Sequence, residues 1–387
     1  MTWDRGAGAR MSVAAKSNAP LHTATGFAAT VERREKLIFA ASLDSEDGDS
    51  FFGPLITLTP ARQTLRLEDI YRGAPEATLT LTVQGASAGT HRVAVTLNGN
   101  AADVLEFAGR TKHRASILVN AAWLRDGDNE VLFTAQNGWE DVSVVEAVSV
   151  TYSRAYRASK GALVFTAPGG TRVPVSGLTG EITAIDITNP AAPVLLANEG
   201  GTITVAGNGT RTVVAADRFI RATVQANDVS DLTKIKAGVD LVIAPRAFLS
   251  ALNGRAAVAI EDVYDEFAYG AKDPAAIRAF IEFVKPRSVL LAGDGSFDPR
   301  GYNGGAALDL IPVKLLRSAL QRSPSDAWFT DFDNDGAADI AIGRLPARSI
   351  DELRTMLVKT APAEGDVVFV NGAGFAERSS HATATST

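Results

Sequence analysis

Between residues 30 and 156 the apolar side chains recur at every second position and almost never at helical spacing. Leu79, Leu81 and Val83 alternate with Thr80 and Thr82, and Val93, Val95 and Leu97 alternate with Ala94 and Thr96. A period of two puts one face of each segment into a core, which confines this stretch to β-structure. Asn98-Gly99 ends the second segment with a pair that tolerates positive φ, a hairpin signal. Asp126-Gly127-Asp128-Asn129 turns into Val131-Leu132-Phe133, and 142–152 adds a further β-branched strand. The spacing predicts a β-sandwich of jelly-roll or immunoglobulin type over 30–157, after an irregular segment at 1–29.

Short β segments continue through 158–230, broken by Pro168-Gly169-Gly170 and Asn189-Pro190, and predict a small β-subdomain or an extension of the sandwich. After Asp231 the texture changes to strand, loop and helix. Near-continuous apolar strands are expected at 240–244, 257–260, 288–292 and 339–342, as in a parallel or mixed sheet flanked by helices. Asp273 and Pro274 are start signals for a helix over 275–284, with Ile277, Phe280, Ile281 and Val284 as its apolar stripe. Ser349 and Glu352 have capping-box spacing ahead of Leu353, Met356 and Leu357. The chain is therefore multidomain, with α/β structure over 231–361 and a tail at 362–387 that is expected to be disordered.

Composition removes several functions. The 387 residues contain no cysteine, which excludes a disulfide framework, a thiolate metal site and a cysteine nucleophile within this chain. There are four histidines, His22, His91, His113 and His381, so no Ser-His-Asp triad can lie wholly within 160–370. His91 and His113 fall on β segments and His381 in a Ser/Thr/Ala tail, where packing or solvent is the ordinary role. Lys+Arg number 38 against 44 Asp+Glu, a net charge of −6 with no basic tract, which argues against nucleic acid. No apolar run reaches the ~18 residues of a membrane span. Residues 1–9 lack the pattern of a signal peptide, so the chain is expected to begin mid-protein.

The sharpest local pattern is Asp331-Phe332-Asp333-Asn334-Asp335-Gly336, followed by Asp339. Alternate carboxylates in a tight loop point the same way, and Gly336 permits the bend that would let Asp331, Asp333, Asp335 and Asp339 surround calcium. Position twelve of the loop is Ile342 and not a bidentate Glu, and an acidic solvated turn stands as the alternative. A calcium-loop blade of a β-propeller is set aside because the loop occurs once. Gly293-Asp294-Gly295-Ser296-Phe297-Asp298 follows a buried strand, where an α/β sheet usually holds its site, so Asp294 and Asp298 are candidate site carboxylates or simple turn formers. Ser296 lacks the frame of a nucleophile elbow. Gly372-Ala373-Gly374 lacks the third glycine of a dinucleotide fingerprint, Glu377 standing there.

The order of motifs from 260 to 360 resembles the gingipain-like cysteine peptidases. The residues that carry it include Glu261 to Gly270, Pro274 to Phe280, Val289 to Asp298, Leu310-Ile311-Pro312, Ser325-Asp326 and Asp339 to Pro346. In the β-rich half, Phe51-Phe52-Gly53 and Asp141-Val142-Ser143 are similar to the region that precedes this domain in secreted bacterial members. The resemblance implies an α/β caspase-like, Rossmann-like three-layer domain that is incomplete here. Its catalytic His and Cys would follow the helix at 349–360, so no catalytic residue is expected within the chain. It also implies that Asp326 supplies an acidic floor to a substrate pocket, with Asp294 nearby. A shortened connection between 244 and 257 is expected to leave one sheet face uncovered.

The expectation is a fragment of a secreted gingipain-like endopeptidase, extracellular or at the cell surface, acting on peptide or protein substrates and inactive by itself, with structural calcium and no organic cofactor. The alternative is a non-catalytic secreted module whose sandwich binds glycan or a partner protein beside a degenerate α/β platform. The oligomeric state is left open.

Overall fold

Alternation at period two decides the first half of the molecule. In chain order its long strands are Phe27–Arg33, Ala61–Leu67, Glu76–Gly85, Thr90–Leu97, Asn100–Ala108, Lys112–Asn120, Gly127–Ala135 and Ser143–Arg154. Numbered in that order they pair antiparallel as 1-8-3-6 in one sheet and 2-7-4-5 in the other, with Leu55–Ile56 also on the eighth. This is the jelly-roll order, which decides between the two sandwich types. Leu65, Leu79, Leu81, Leu97, Val131, Phe133 and Val148 fill the space between the sheets and are fully buried. Asn98 and Gly99 take φ of 52° and 82°, as the hairpin requires. The Asn98 carboxamide donates to Asn129 Oδ1 at 2.8 Å and accepts from the Glu130 N–H at 2.9 Å, which ties two turns together.

The computed structural model describes residues 10–14, 22–220, 223, 230–304, 309–318 and 321–359. These fall into two compact units, 1–229 with 300–307 and 315–325, and 230–299 with 308–314 and 326–387. The expected tail at 362–387, with His381 and Gly372-Ala373-Gly374, lies outside the described residues.

Within the first unit a second, smaller β-body follows. Its strands include Ala162–Pro168, Thr171–Pro174, Thr183–Asp186, Thr202–Val205 and Thr210–Ala216. They enclose a core of their own around Phe165, Val173, Ile203, Val205, Val213 and Ala215. The segment at 1–29 is not irregular throughout. Ser12–Val13 pairs in parallel with Val194–Leu195, and His22–Thr23 with Thr171–Arg172. Two-residue strands exposed along their length carry no periodicity, so the sequence has no signal for them. Phe27 and Tyr156 stack at 5.2 Å where the two β-bodies meet.

The second unit holds a wholly parallel sheet in the order Ala256–Ala259, Asp240–Ala244, Ser288–Ala292, Ala341–Leu345. The helices Ile260–Ala268 and Pro274–Val284 pack on the face that carries Leu241, Ile243, Val289 and Leu291. Asp273 caps the second helix, accepting from the Ala275 N–H at 2.8 Å. The opposite face is covered, contrary to expectation. The short connection folds into a 3-10 helix, Arg246–Ala251, and Phe248 and Leu252 join Leu353 of the Ile350–Lys359 helix over Val242, Ala244 and Ala292. A two-turn 3-10 helix is too brief to register as amphipathic, yet one Phe and one Leu suffice over strands this short. The last strand starts two residues later than expected because Asp339 is held in the preceding turn. Its N–H donates to Thr330 O at 2.9 Å and its carboxylate accepts from the Phe332 N–H at 2.8 Å.

One close approach in the jelly roll makes a direct prediction. A Cβ on Gly85 would lie 2.0 Å from Gly109 O and 2.5 Å from His91 Nε2, and His91 is locked by Asp141 at 2.7 Å. Gly85→Ala should therefore destabilise the first unit by about 2 kcal/mol or more. Chemical denaturation of the variant beside the parent measures it.

Candidate functional site

The carboxyl ends of parallel strands are where α/β sheets place their chemistry, and here one arginine organises that edge. Arg344 lies on the last strand, and its side chain is only 11% exposed. Its Nε donates to both oxygens of Asp326 at 2.9 and 3.1 Å, and its Nη2 adds a 2.7 Å bond to the same carboxylate. Nη1 donates to Gly293 O at 3.0 Å and Ile311 O at 2.7 Å, and Nη2 also reaches Pro312 O at 3.2 Å. Every N–H of the guanidinium is used. Arg344 therefore joins the end of the Ser288–Ala292 strand, the 311–312 segment and the Asp326 turn.

Glycine makes this convergence possible. A Cβ on Gly293 would meet Ile311 Cγ1 at 2.9 Å, and one on Gly295 would meet Ile311 O at 2.6 Å. The N–H groups of Leu310 and Ile311 both donate to Asp294 O at 3.0 Å. The Asp294 carboxylate accepts from Arg348 Nε at 2.8 Å and from the Gly295 N–H at 3.0 Å. Ser296 donates its N–H to Asp309 Oδ1 at 2.9 Å, and burial pushes the Asp309 carboxyl up from its ordinary value. Asp298 is buried, with its N–H on Ser296 Oγ at 2.9 Å.

Asp326 and Asp294 thus do not stand as free acidic groups on a pocket floor. Each is matched by an arginine from the last strand or the turn after it, and a charge so paired is a poor receiver for a second cation. Arg344, Arg348 and Asp309 were not among the candidate site residues, Arg344 entering only as part of the Asp339 to Pro346 motif. Arg344 did have a signal, as a cation inside an otherwise apolar strand that faces Asp326 only in the folded chain.

Of the four carboxylates proposed for a metal, three come together. Asp331, Asp333 and Asp335 each place an oxygen within 4.8 Å of the others. Asp339 does not join them, because its carboxylate is turned to the Phe332 N–H. Gly336 has φ of 91° and Asn334 of 63°, the bend that the glycine was expected to supply. Asp331 is buried and accepts from the N–H groups of Asp335 and Gly336, each at 3.1 Å. Arg278 braces the loop from the second helix, donating to Asp331 O and, at 3.0 Å, to Asn334 Oδ1 while its guanidinium lies 4.9 Å from the Trp328 ring.

Residues 241–379 match peptidase family C25, the gingipain family. The C25 match encloses the strands, the Arg344 hub and the acidic loop. No curated protein matches the chain. Among solved structures, dimeric latent PorU from Porphyromonas gingivalis is similar at a TM-score of 0.68 with 15% identity, over 91% of this chain and 39% of that one. This likeness shows a shared fold, and the chain spans well under half the length of PorU. A family 35 carbohydrate-binding module from Cellvibrio japonicus Abf62 matches at a TM-score of 0.24 and 18% identity, over 33% of this chain and 96% of that one. A family 36 module in complex with calcium and xylotriose matches at 0.22 and 14%, over 32% and 98%. Scores this low carry no argument.

The hub predicts an asymmetry between conservative substitutions. Arg344→Lys keeps the charge, loses the planar fork and offers three donors where five are used, so some of the contacts to Asp326, Gly293, Ile311 and Pro312 are lost. It should cost about 3 kcal/mol, and Arg348→Lys, exposed beside Asp294, under about 1 kcal/mol. Urea denaturation followed by tryptophan fluorescence distinguishes the two.

Proposed function

We propose that the α/β unit is the opening part of a caspase-like, gingipain-type cysteine peptidase domain. In this reading the whole protein cleaves peptides or proteins outside the cell or at its surface, as the secreted members that it resembles do. The C25 match over 241–379 carries the reading, and the PorU-like fold supports it. The chemistry needs a thiolate nucleophile and an imidazole to activate it. With no cysteine in the 387 residues, the reacting pair is assigned to chain outside them. The paired carboxylates of Asp294 and Asp326 then contribute as anchors of a substrate-pocket wall, not as proton carriers. The 387-residue chain should show no alkylation-sensitive turnover of Arg- or Lys-peptide substrates, whereas the full-length gene product should show it. Thiol-dependent turnover by the chain alone, or none by the full-length product, contradicts the assignment.

The reading includes a structural calcium ion at Asp331, Asp333 and Asp335. A hard cation takes oxygen ligands and relieves repulsion among three adjacent carboxylates, and the φ values of Asn334 and Gly336 keep those oxygens gathered. Calorimetry after chelation should give a calcium heat that Asp333→Ala and Asp335→Ala each abolish and Asp339→Asn leaves in place. No heat from the intact protein would remove the ion from the account.

A further inference from the structure

One end of the jelly roll carries a cleft that the peptidase reading does not use. It measures about 820 Å³, within the range of about 300–1,000 Å³ typical of small-ligand sites. Its walls are the turn at 87–90 and the turn at 137–142. On the second turn Trp139 is 79% exposed, a large apolar face held in water at the rim. Gly138, with φ of 91°, makes the turn, and its carbonyl accepts from the Asp141 N–H at 3.3 Å.

The cleft is held by a buried pair beneath it. The Asp141 side chain is 1% exposed and His91 fully buried, with Oδ1 and Nδ1 2.7 Å apart. Asp141 Oδ2 accepts from the N–H groups of Arg92 at 3.1 Å and Asn137 at 3.3 Å. Nε2 of His91 donates to Gly109 O at 3.2 Å, since a carbonyl can only accept. Across the cleft, the N–H groups of Ala86 and Ser87 both donate to Val142 O, at 2.9 and 3.1 Å. Both turns are thus tied to the sandwich, and the indole stands on a preorganised support.

We propose that this cleft binds a neutral saccharide, with a pyranose face laid on Trp139. The C–H face of a pyranose is apolar and matches an indole, while its edge presents hydroxyls that both donate and accept. Thr90, Asn137 and Glu140 supply the matching polar groups around the ring. Among the described residues no lysine or arginine lines the cleft, and Glu140 and Asp141 do, so uronic or sulfated sugars are disfavoured and uncharged ones are not. The assignment is independent of peptidase chemistry, since every residue in it lies in the first unit.

The test is calorimetry on the 387-residue chain with cellotriose, mannotriose and chitotriose, and with trigalacturonate as the charged control. At least one neutral trisaccharide should bind saturably and trigalacturonate should not. Trp139→Ala should weaken the neutral sugar by about tenfold or more, and Trp139→Phe by less, with circular dichroism unchanged in both because the side chain is exposed. Absence of neutral-sugar binding, or an affinity untouched by Trp139→Ala, overturns the proposal. So does a loss of self-association in Trp139→Ala by sedimentation without any sugar binding, which would make this end a contact between copies of the chain.

Discussion

The α/β unit depends on one guanidinium. Arg344 comes from the last described strand, yet its partners are Gly293 and Ile311 from before it and Asp326 from the turn that leads to it. Taking that charge from water is unfavourable, and the loss is offset only because a carboxylate and three carbonyls meet its donors together. A lysine has three donors against five and no planar fork, so it cannot reproduce the whole contact set. Residues 293, 311, 312 and 326, far apart in the chain, thus become one contact set around the fourth strand.

Much of the fold is legible wherever a period or a cap acts over several residues. Leu79, Leu81 and Val83 declare their strand, Asp273 declares its helix start, and Asn98-Gly99 its hairpin, because each signal is local and its physical cause lies within a few positions. What fails is pairing across distance. Asp326 reads as a free acid in the sequence because nothing near it says that Arg344, eighteen positions on, will take both its oxygens. Asp339 reads as a fourth ligand because its spacing from Asp335 suits one, but spacing does not show that its carboxylate is closing a turn on Phe332. The capping box fails more finely. Ser349 does accept from the Glu352 N–H, but the Glu352 carboxylate reaches back to Arg348 and not to Ser349 itself.

Two groups of carboxylates in the α/β unit are partnered differently. At the sheet edge Asp294 and Asp326 are matched one to one with arginines, so their charge is spent on holding backbone segments together. In the loop after Phe329, among the described residues Asp331, Asp333 and Asp335 take only backbone N–H donors, and the nearby Arg278 bonds to the carbonyl of Asp331 and the side chain of Asn334 instead of to a carboxylate. Amide donors reduce the repulsion among three anions without neutralising them. An arginine-paired carboxylate has settled its electrostatics within the chain, whereas the loop has not. The sheet edge is thus built as a support, while the three loop carboxylates have no arginine or lysine partner among the described residues. Any nucleophile or base that uses this edge must bring its own reactive groups to it.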